Sequence, residues 1–241
     1  YDLRPGPFHI DATEVTKAKW DEVATWAAAN GYDIGAGTAT AKGADHPACG
    51  VTWYDCVKWC NARSEKEGRT PCYLVDDEVY RTGVAVPTCV FVANGFRLPT
   101  VEEWEYAARG GASGLRFPWG NVIDHDDANF TANGAATSYD VSETTGPTFH
   151  PDYDDNPTPY TAPAGSFPAN GYGLYDMAGN IAEWCWNSDG EYRAVRGGSW
   201  WNDAENLRCG RADSYPPDGE FDALRGLRTV CRGGGGRATY V

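Results

Sequence analysis

The segment that decides the fold is residues 173–184, with the sequence GLYDMAGNIAEW. Its glycines, Gly173 and Gly179, permit left-handed backbone angles and therefore close turns. Such turns would let the carboxylates of Asp176 and Glu183 converge, with backbone carbonyls between them. Oxygen ligands of this kind suit a hard cation such as calcium. The alternative is that both carboxylates are structural hydrogen-bond acceptors, and the residues alone leave this open.

The composition predicts a chain that is rich in loops. The 241 residues include 29 Gly and 15 Pro, which favour turns with special backbone angles. We therefore expect less regular helix and strand than in an average protein. No linker or internal repeat divides the sequence, so we interpret residues 1–241 as a single domain with a buried core. The last residues, 232–241, are expected to form a flexible tail.

The charge of the chain argues against two classes of partner. A net charge of −14 at pH 7 disfavours nucleic acid, whose binding requires a basic surface, and also disfavours an anionic membrane. No run of eighteen apolar residues is present, so no transmembrane segment is predicted. We expect any targeting peptide or lipid anchor to belong to an N-terminal part that is removed or absent from this sequence.

Neither the cysteines nor the histidines form a metal-site motif. The eight cysteines include no Cys-x-x-Cys pair and no Cys/His spacing typical of zinc. They are either small buried hydrophobic residues or disulfides of unknown connectivity. The four histidines, His9, His46, His125 and His150, form no motif such as HxH or HExxH. We interpret them as surface or structural residues.

Three segments have the apolar spacing of amphipathic helices. Each begins after a threonine that can cap the first turn and ends at a glycine. One tryptophan lies on each apolar stripe and is expected in the core: Trp20, Trp53 and Trp104. The helical segments extend over residues 16–31, 52–68 and 100–110, and the third begins with a capping box of Thr100 and Glu103.

The strand candidates are short, and a long irregular tract separates them. The candidates are FHI (8–10), YLVDDEVYR (73–81), YRAVRGG (192–198) and GLRTVC (226–231). Residues 111–170 are rich in Gly, Pro, Asp, Asn and Thr and show weak periodicity. A loop tract of this length inside a compact domain is typically functional or held by a metal.

Several long motifs occur together in a fixed order. They are TEVTKAKWDEV, HPACGVTWYDCVKWCNARSEKEG, FRLPTVEEWEYAARGG, FPWGN, FPANGYGLYDMAGNIAEW, RGGSW and GLR. This set resembles the formylglycine-generating enzyme family, also called the sulfatase-modifying factor family, from about Asp11 to Val230. The resemblance implies an α+β chain with a variant of the C-type lectin fold and a low content of regular secondary structure.

The resemblance also implies calcium sites. At the first site the ligands would be Asp176, the backbone carbonyls of Gly179 and Ile181, and Glu183. A second site would use Asn129, the Phe130 carbonyl and an acidic residue near Asp155. No cofactor is expected to be required, and calcium would be structural.

The enzymes of this family oxidise a substrate cysteine with two of their own cysteines, which lie five residues apart after a GGS motif. Thiolates are needed there because a soft anionic sulfur binds copper and engages the substrate thiol. Aligned on Gly197-Gly198-Ser199, these positions fall on Asn202 and Leu207. Cys209 alone cannot rebuild the pair. We therefore predict that this chain lacks the formylglycine-forming activity and is not an enzyme.

The segment RGGSWWNDAENLRCGRADSYPPDGEFDALRGLR (196–228) resembles a second group with this fold, the variable proteins of diversity-generating retroelements. Its frame is Arg196–Trp200, then Arg208 and Arg211, then Gly226–Arg228, and the variable region extends over about 196–231. The side chains between suit an exposed surface, because a core would bury charges among large apolar groups. Aromatic anchors beside short polar residues are typical of binding loops. The predicted ligand-binding residues are Trp201, Asn202, Asp203, Glu205, Leu207, Gly210, Asp213, Ser214, Tyr215, Phe221, Asp222 and Leu224.

We also expect Arg208 and Arg211 to brace these loops through carbonyls or carboxylates. The sequence therefore favours a non-enzymatic, receptor- or adhesin-like binding protein of the bacterial cell surface, with a lipid anchor outside this sequence. Its expected ligand is a protein on a host or neighbouring cell. The alternatives are a divergent metal-dependent oxidase and a carbohydrate lectin, although the sequence has no Glu-Pro-Asn or Gln-Pro-Asp motif.

Overall fold

The computed structural model describes residues 5–35, 37–219 and 223–233. Helices and short strands alternate with long irregular segments, so the chain is α+β with little regular structure, as expected. The elements in chain order are β1 (Phe8–Ile10), α1 (Lys17–Ala29), α2 (Trp53–Lys66), β2 (Tyr73–Val75), β3 (Glu78–Val79), β4 (Thr88–Cys89), β5 (Phe96–Arg97), α3 (Val101–Ala108), β6 (Ala182–Asp189), β7 (Tyr192–Arg196), β8 (Asp213–Tyr215), β9 (Arg225–Gly226) and β10 (Val230–Arg232).

The three predicted helices are confirmed, together with their caps. Thr16, Thr52 and Thr100 each accept a hydrogen bond from the backbone three residues later. Thr100 and Glu103 form the expected capping box, which satisfies two backbone donors that a helix start would otherwise leave open. None of the helices in the described parts of the chain combines the length and apolarity needed to cross a bilayer.

The strands form three small sheets. In the first, β10 pairs with both β1 and β5, so the beginning and the end of the described chain lie side by side. The largest has the order β8-β7-β6-β9, with β6 and β7 antiparallel and β9 parallel to β6. This sheet positions the C-terminal segment, because β7 leads into it, β8 lies within it and β9 ends it.

Two strand predictions need correction. The segment 73–81 is a hairpin and not one strand, because Asp76 and Asp77 adopt left-handed backbone angles and turn the chain between β2 and β3. The segment 226–231 contains only the end of β9 and the start of β10. β6 was not predicted from the sequence, although its eight residues make it the longest strand described.

The core consists of three apolar clusters. The largest packs α1 and α2 against the sheets and includes Trp20 and Trp53, and the second surrounds Trp104. These tryptophans are fully buried, as predicted. The third cluster forms within the irregular tract around Phe117 and Phe130. No disulfide joins the eight cysteines, all of which lie within the described residues, and seven of them are buried.

Candidate functional site

The first half of the frame, Arg196–Trp200, is buried. Gly197 and Gly198 both have positive φ angles, of 89° and 69°. A Cβ on Gly198 would lie 2.7 Å from Leu207 Cδ1, which is closer than carbon atoms normally approach. The chain therefore needs glycine where it passes beneath the loop that it supports.

The second half of the frame is fixed by Arg228, which is completely buried. Its guanidinium donates to Glu183 Oε1 from Nε at 3.0 Å and from Nη2 at 2.9 Å, and to the carbonyls of Asp11 and Tyr175. Burial alone would lower the pKa of Arg228, but the Glu183 carboxylate outweighs it, so this pKa lies above its ordinary value. One cation thus connects the C-terminal frame to the N-terminal segment and to β6.

Between the two halves of the frame, the chain presents a surface of mixed chemistry. Most predicted binding residues carry exposed or partly exposed side chains. Phe221 and Asp222 lie outside the described residues. The exposed positions are Trp201, Asp203, Glu205, Gly210 and Ser214, and the partly exposed ones are Asn202, Asp213, Tyr215 and Leu224.

Leu207 does not belong with the other predicted ligand-binding residues. Its side chain is fully buried and packs in the third cluster, which includes Phe117 and Phe130. The irregular tract brings these rings beneath the loop, so Leu207 anchors the loop from below. The prediction that Leu207 contacts a ligand is therefore wrong.

The predicted contacts of Arg208 and Arg211 are present but local. Arg208 donates to the carbonyl and carboxylate of Glu205, and Arg211 donates to Asp213. The long-range connection comes from Arg196, which the sequence analysis placed only in the frame. Its buried guanidinium donates to the Arg211 carbonyl at 2.6 Å and to Glu105 of α3 at 2.5 Å.

An aromatic cluster lies at one end of the surface, and the sequence analysis missed half of it. The Trp201 side chain is 57% exposed, and its ring lies 5.5 Å from that of Phe149 and 5.6 Å from that of Trp200. Tyr160 packs against both Phe149 and Trp200. Phe149 and Tyr160 come from the irregular tract, so that tract contributes directly to the candidate site.

The two positions that would carry catalytic thiols are occupied by structural contacts. Asn202 Oδ1 accepts hydrogen bonds from the backbone nitrogen of Ser199 at 3.0 Å and from its hydroxyl at 2.8 Å. Leu207 is in the core. Burial raises the pKa of the neighbouring Cys209 thiol to about 11, so it is protonated near neutral pH.

The predicted first calcium site does not fit a cation as a set. Both oxygens of Glu183 are bonded, by Trp104 Nε1 at 2.7 Å and by Arg228. Asp176 accepts from the Gly165 amide through one oxygen, while its Oδ1 is buried without a hydrogen-bond partner. The nearby Glu14 binds the Ile181 amide. Within the described ranges, no three His, Cys, Asp or Glu side chains are arranged to hold a metal ion.

The residues of the second predicted calcium site form hydrogen bonds and an ion pair with other groups of the protein. Asn129 is buried and donates to the Tyr160 carbonyl, and the Phe130 carbonyl lies 3.1 Å from His125 Nε2. Asp155 is exposed and forms an ion pair with Lys42. The geometry therefore favours the interpretation of these acidic and amide groups as structural hydrogen-bond partners.

Two histidines that are distant in sequence lie together within the irregular tract. The rings of His125 and His150 are 4.9 Å apart. His150 Nε2 lies 2.8 Å from the His125 carbonyl, while its Nδ1 accepts from the Asp152 amide at 3.2 Å. Burial lowers the pKa of both imidazoles. This pattern requires neutral His150, which is a structural role.

Comparison with known proteins gives the family. The sulfatase-modifying factor enzyme 1-like domain matches residues 2–232. The chain belongs to this family. Chaperone protein LppX of Paenibacillus barcinonensis is 33% identical over 243 residues, which cover 92% of this chain and 79% of that protein. Inactive C-alpha-formylglycine-generating enzyme 2 of Bos taurus is 37% identical over 153 residues, or 59% of this chain, and the match spans only 46% of that longer protein.

Solved structures agree with the family and add the second resemblance. CarF superimposes with a TM-score of 0.73 and 26% identity over 92% of this chain and 85% of that one. Treponema denticola variable protein 1 superimposes with a TM-score of 0.68 and 26% identity, covering 93% of this chain and 84% of that chain. The fold is therefore the C-type lectin fold of the formylglycine-generating enzyme type, and a variable protein is among its structural neighbours.

Proposed function

We propose that this sulfatase-modifying factor family member is a ligand-binding protein without catalytic activity, and that residues 201–225 form its binding surface. The observation that carries the proposal is the contrast between a buried frame and the exposed side chains that it holds. Trp201 is the clearest case, because its exposed ring lies beside those of Phe149 and Trp200, and exposed apolar patches mark interaction sites. Tryptophan is also the residue type most enriched at binding hot spots.

The similarity to Treponema denticola variable protein 1 supports a diversified site of this kind. If the frame tolerates substitutions in the exposed residues that it supports, the fold is kept while the chemistry of the surface changes. Arg196 and Arg228 bond mainly to backbone carbonyls and to glutamates outside the surface. Substitution at exposed positions such as Trp201 or Ser214 would leave those contacts intact.

A metal-dependent oxidase is the rival function, and the site argues against the mechanism known in the family. The two thiol positions are Asn202 and Leu207, and burial raises the pKa of Cys209 and of Cys185. A test is to incubate the protein with copper, oxygen and a cysteine-containing peptide. We expect no loss of peptide thiol above the protein-free rate, whereas turnover would contradict the proposal.

The proposal extends to a surface location, with a protein on a host or neighbouring cell as ligand and a lipid anchor on a segment outside this sequence. The decisive test is to sequence sister copies of the gene and its genomic neighbourhood. We expect differences concentrated at residues 201–225, a constant frame at 196–200 and 226–228, and a reverse transcriptase gene nearby. Differences spread evenly over the surface would overturn the diversified site. Biotinylation of intact cells tests the location.

A further inference from the structure

A basic cleft lies beside the surface, away from the aromatic cluster. It has a volume of about 700 Å³ and opens to solvent. One wall is the loop 114–121, which follows α3, and the other is the loop 208–212 of the binding surface. The charged side chains that line it are Arg116, Arg208 and Arg211. Among the residues that the structure describes, no acidic side chain lines it, although the chain as a whole carries a net charge of −14.

The two walls are held in a fixed relationship by backbone contacts. The Cys209 amide donates to the Arg116 carbonyl at 2.9 Å. Arg109, from the end of α3, donates to the Leu115 carbonyl at 3.1 Å. Arg116 itself donates from Nη1 to the Asn121 carbonyl at 2.6 Å and packs over the Tyr139 ring. The backbone of both walls is therefore held in place before a ligand arrives.

The positive charge at this edge is only partly compensated. Arg208 pairs with Glu205, and Arg211 pairs with Asp213. Behind them, Arg109 and Arg196 share the single carboxylate of Glu105. Arg116 makes no ion pair with any carboxylate in the described part of the chain, and its Nη2 group is not committed to any hydrogen bond there. A carboxylate is the group that a guanidinium fork binds with the best geometry.

We propose that this cleft binds the carboxylate side chains of an acidic peptide segment, with Arg116 as the main contact. The inference rests on the proposed function and extends it in two ways. It assigns a chemical class to the ligand, and it adds the loop 114–121 to a surface that otherwise consists of the C-terminal segment. Arg208 and Arg211 contribute the second wall and exchange part of their pairing with Glu205 and Asp213 for the ligand.

An acidic segment of a protein fits the cleft better than an extended polyanion. Glu205 and Asp213, which pair with two of the lining arginines, would repel a continuous run of negative charge. A peptide can place one or two carboxylates in the cleft and uncharged side chains beside them. Arginine, which lines this cleft three times, is among the residue types enriched at protein–protein hot spots.

The test is an amide NMR titration of the isotope-labelled chain with a synthetic hexapeptide of alternating Gly and Glu. The probe carries only the acidic feature, so we expect weak binding, with shifts concentrated at residues 114–121 and 208–212. Raising NaCl from 50 to 300 mM should weaken it further. Arg116→Gln should raise Kd by about threefold to tenfold, because a charged hydrogen-bonded contact is lost. Arg116→Lys, which keeps the charge without the fork, should give an intermediate Kd.

Two controls make the result specific. Lys19→Gln removes the same charge from α1, far along the chain, and should leave Kd unchanged. The Gly-Gln hexapeptide should produce no shifts at the cleft. Equal binding of the Glu and Gln peptides, or an unchanged Kd in Arg116→Gln with a native spectrum, would overturn the proposal. Tighter binding of a sulfated oligosaccharide to the same residues would also overturn it, in favour of a glycan.

The outcome can be separated from that of the proposed function. If sister copies differ at 201–225 but the acidic peptide does not bind, only the assignment of ligand chemistry fails. If the peptide binds through Arg116 while sister copies show no concentrated differences, the cleft stands as a fixed anion site and the diversified surface fails. Trp201→Ala should not change the Kd of the short peptide, because the Gly-Glu probe has no apolar side chain that could pack against Trp201.

Discussion

Arg228 Nη2 lies 2.9 Å from Glu183 Oε1, and both side chains are buried. This pair joins the last part of the frame to the start of β6 and thereby to the sheet beneath the surface. The carbonyls of Asp11 and Tyr175 occupy other donors of the same guanidinium. The integrity of the surface therefore depends on a residue that no ligand contacts.

Replacing Arg228 by Met should strongly destabilise the protein. It leaves the Glu183 carboxylate buried without its cation, which typically costs about 3–5 kcal/mol. Urea unfolding followed by circular dichroism measures this loss. Arg208→Met is the matched control, because its pair with Glu205 is solvent-exposed and should contribute about 0–1 kcal/mol. A similar loss in both variants would show that local bracing by Arg208 matters as much as the buried pair.

Truncation of two apolar residues in the segment, Trp201 and Leu207, should change stability by very different amounts. Leu207→Ala removes a fully buried side chain from the third cluster and should cost about 2–5 kcal/mol of unfolding free energy. Trp201→Ala removes a larger side chain from the surface and should change stability by less than about 1 kcal/mol. Thermal unfolding of the two variants checks this. A larger loss of unfolding free energy in Trp201→Ala than in Leu207→Ala would mean that Trp201 stabilises the fold and is not available to a ligand.

The local signals in the sequence were sufficient to locate the helices. Thr16, Thr52 and Thr100 each act within one turn of the chain, so their caps could be predicted from neighbouring residues. Sheet pairing depends on partners that are distant in sequence, and β6 was missed for that reason. Its sequence, AEWCWNSD, lacks clear alternation because its first residues are buried on both faces. The turn of the 73–81 hairpin is formed by Asp76 and Asp77. A pair of acidic residues is not a specific turn signal, so the turn was not predicted.

The same distinction explains which site residues could be predicted. The exposure of the positions around Trp201 could be predicted, because charged, polar and aromatic residues alternate there between the two halves of the frame. Leu207 has the same sequence context, but its burial is decided by Phe117 and Phe130, which lie more than seventy residues earlier. Phe149 enters the site by the same route. The irregular tract has no periodicity that indicates which of its side chains point inward, so its contribution became visible only in the folded chain.

Gly198 tests the close packing beneath the surface. Its φ angle of 69° already disfavours other residues, and a Cβ would also meet Leu207 Cδ1 at 2.7 Å. Gly198→Ala should therefore cost about 2–4 kcal/mol, from backbone strain and overpacking together. Gly190→Ala is the control, since that residue has a φ of 61° in an open turn with no atom near the added Cβ. It should cost about 1–2 kcal/mol, and an equal cost at both sites would exclude the packing contribution.

His150 should make stability depend on pH near 6. Burial lowers the pKa of His150, so the unfolded chain, with an imidazole pKa of about 6.5, binds the proton more readily. The contribution of neutral His150 is therefore complete above pH 6.5 and decreases as pH falls through 6.5 toward the lower folded pKa. Urea unfolding between pH 5 and 8 measures the slope. His150→Phe should reduce it, and His46→Phe should reduce it in the same direction, because burial also lowers the pKa of His46. An unchanged slope in His150→Phe would contradict the neutral role.

Calcium should not stabilise the folded protein. Glu183 is bonded by Trp104 and Arg228, which leaves Asp176 Oδ1 as the one uncommitted oxygen of the two predicted carboxylate ligands. A ligand that binds only the native state raises the free energy of unfolding by RT ln(1 + [L]/Kd), so calcium at 5 mM would raise Tm if a tight site existed. We expect the same Tm with calcium and with EDTA, both for the natural chain and for Asp176→Asn. A calcium-dependent rise in Tm that disappears in Asp176→Asn would contradict this expectation and show that a cation binds at Asp176.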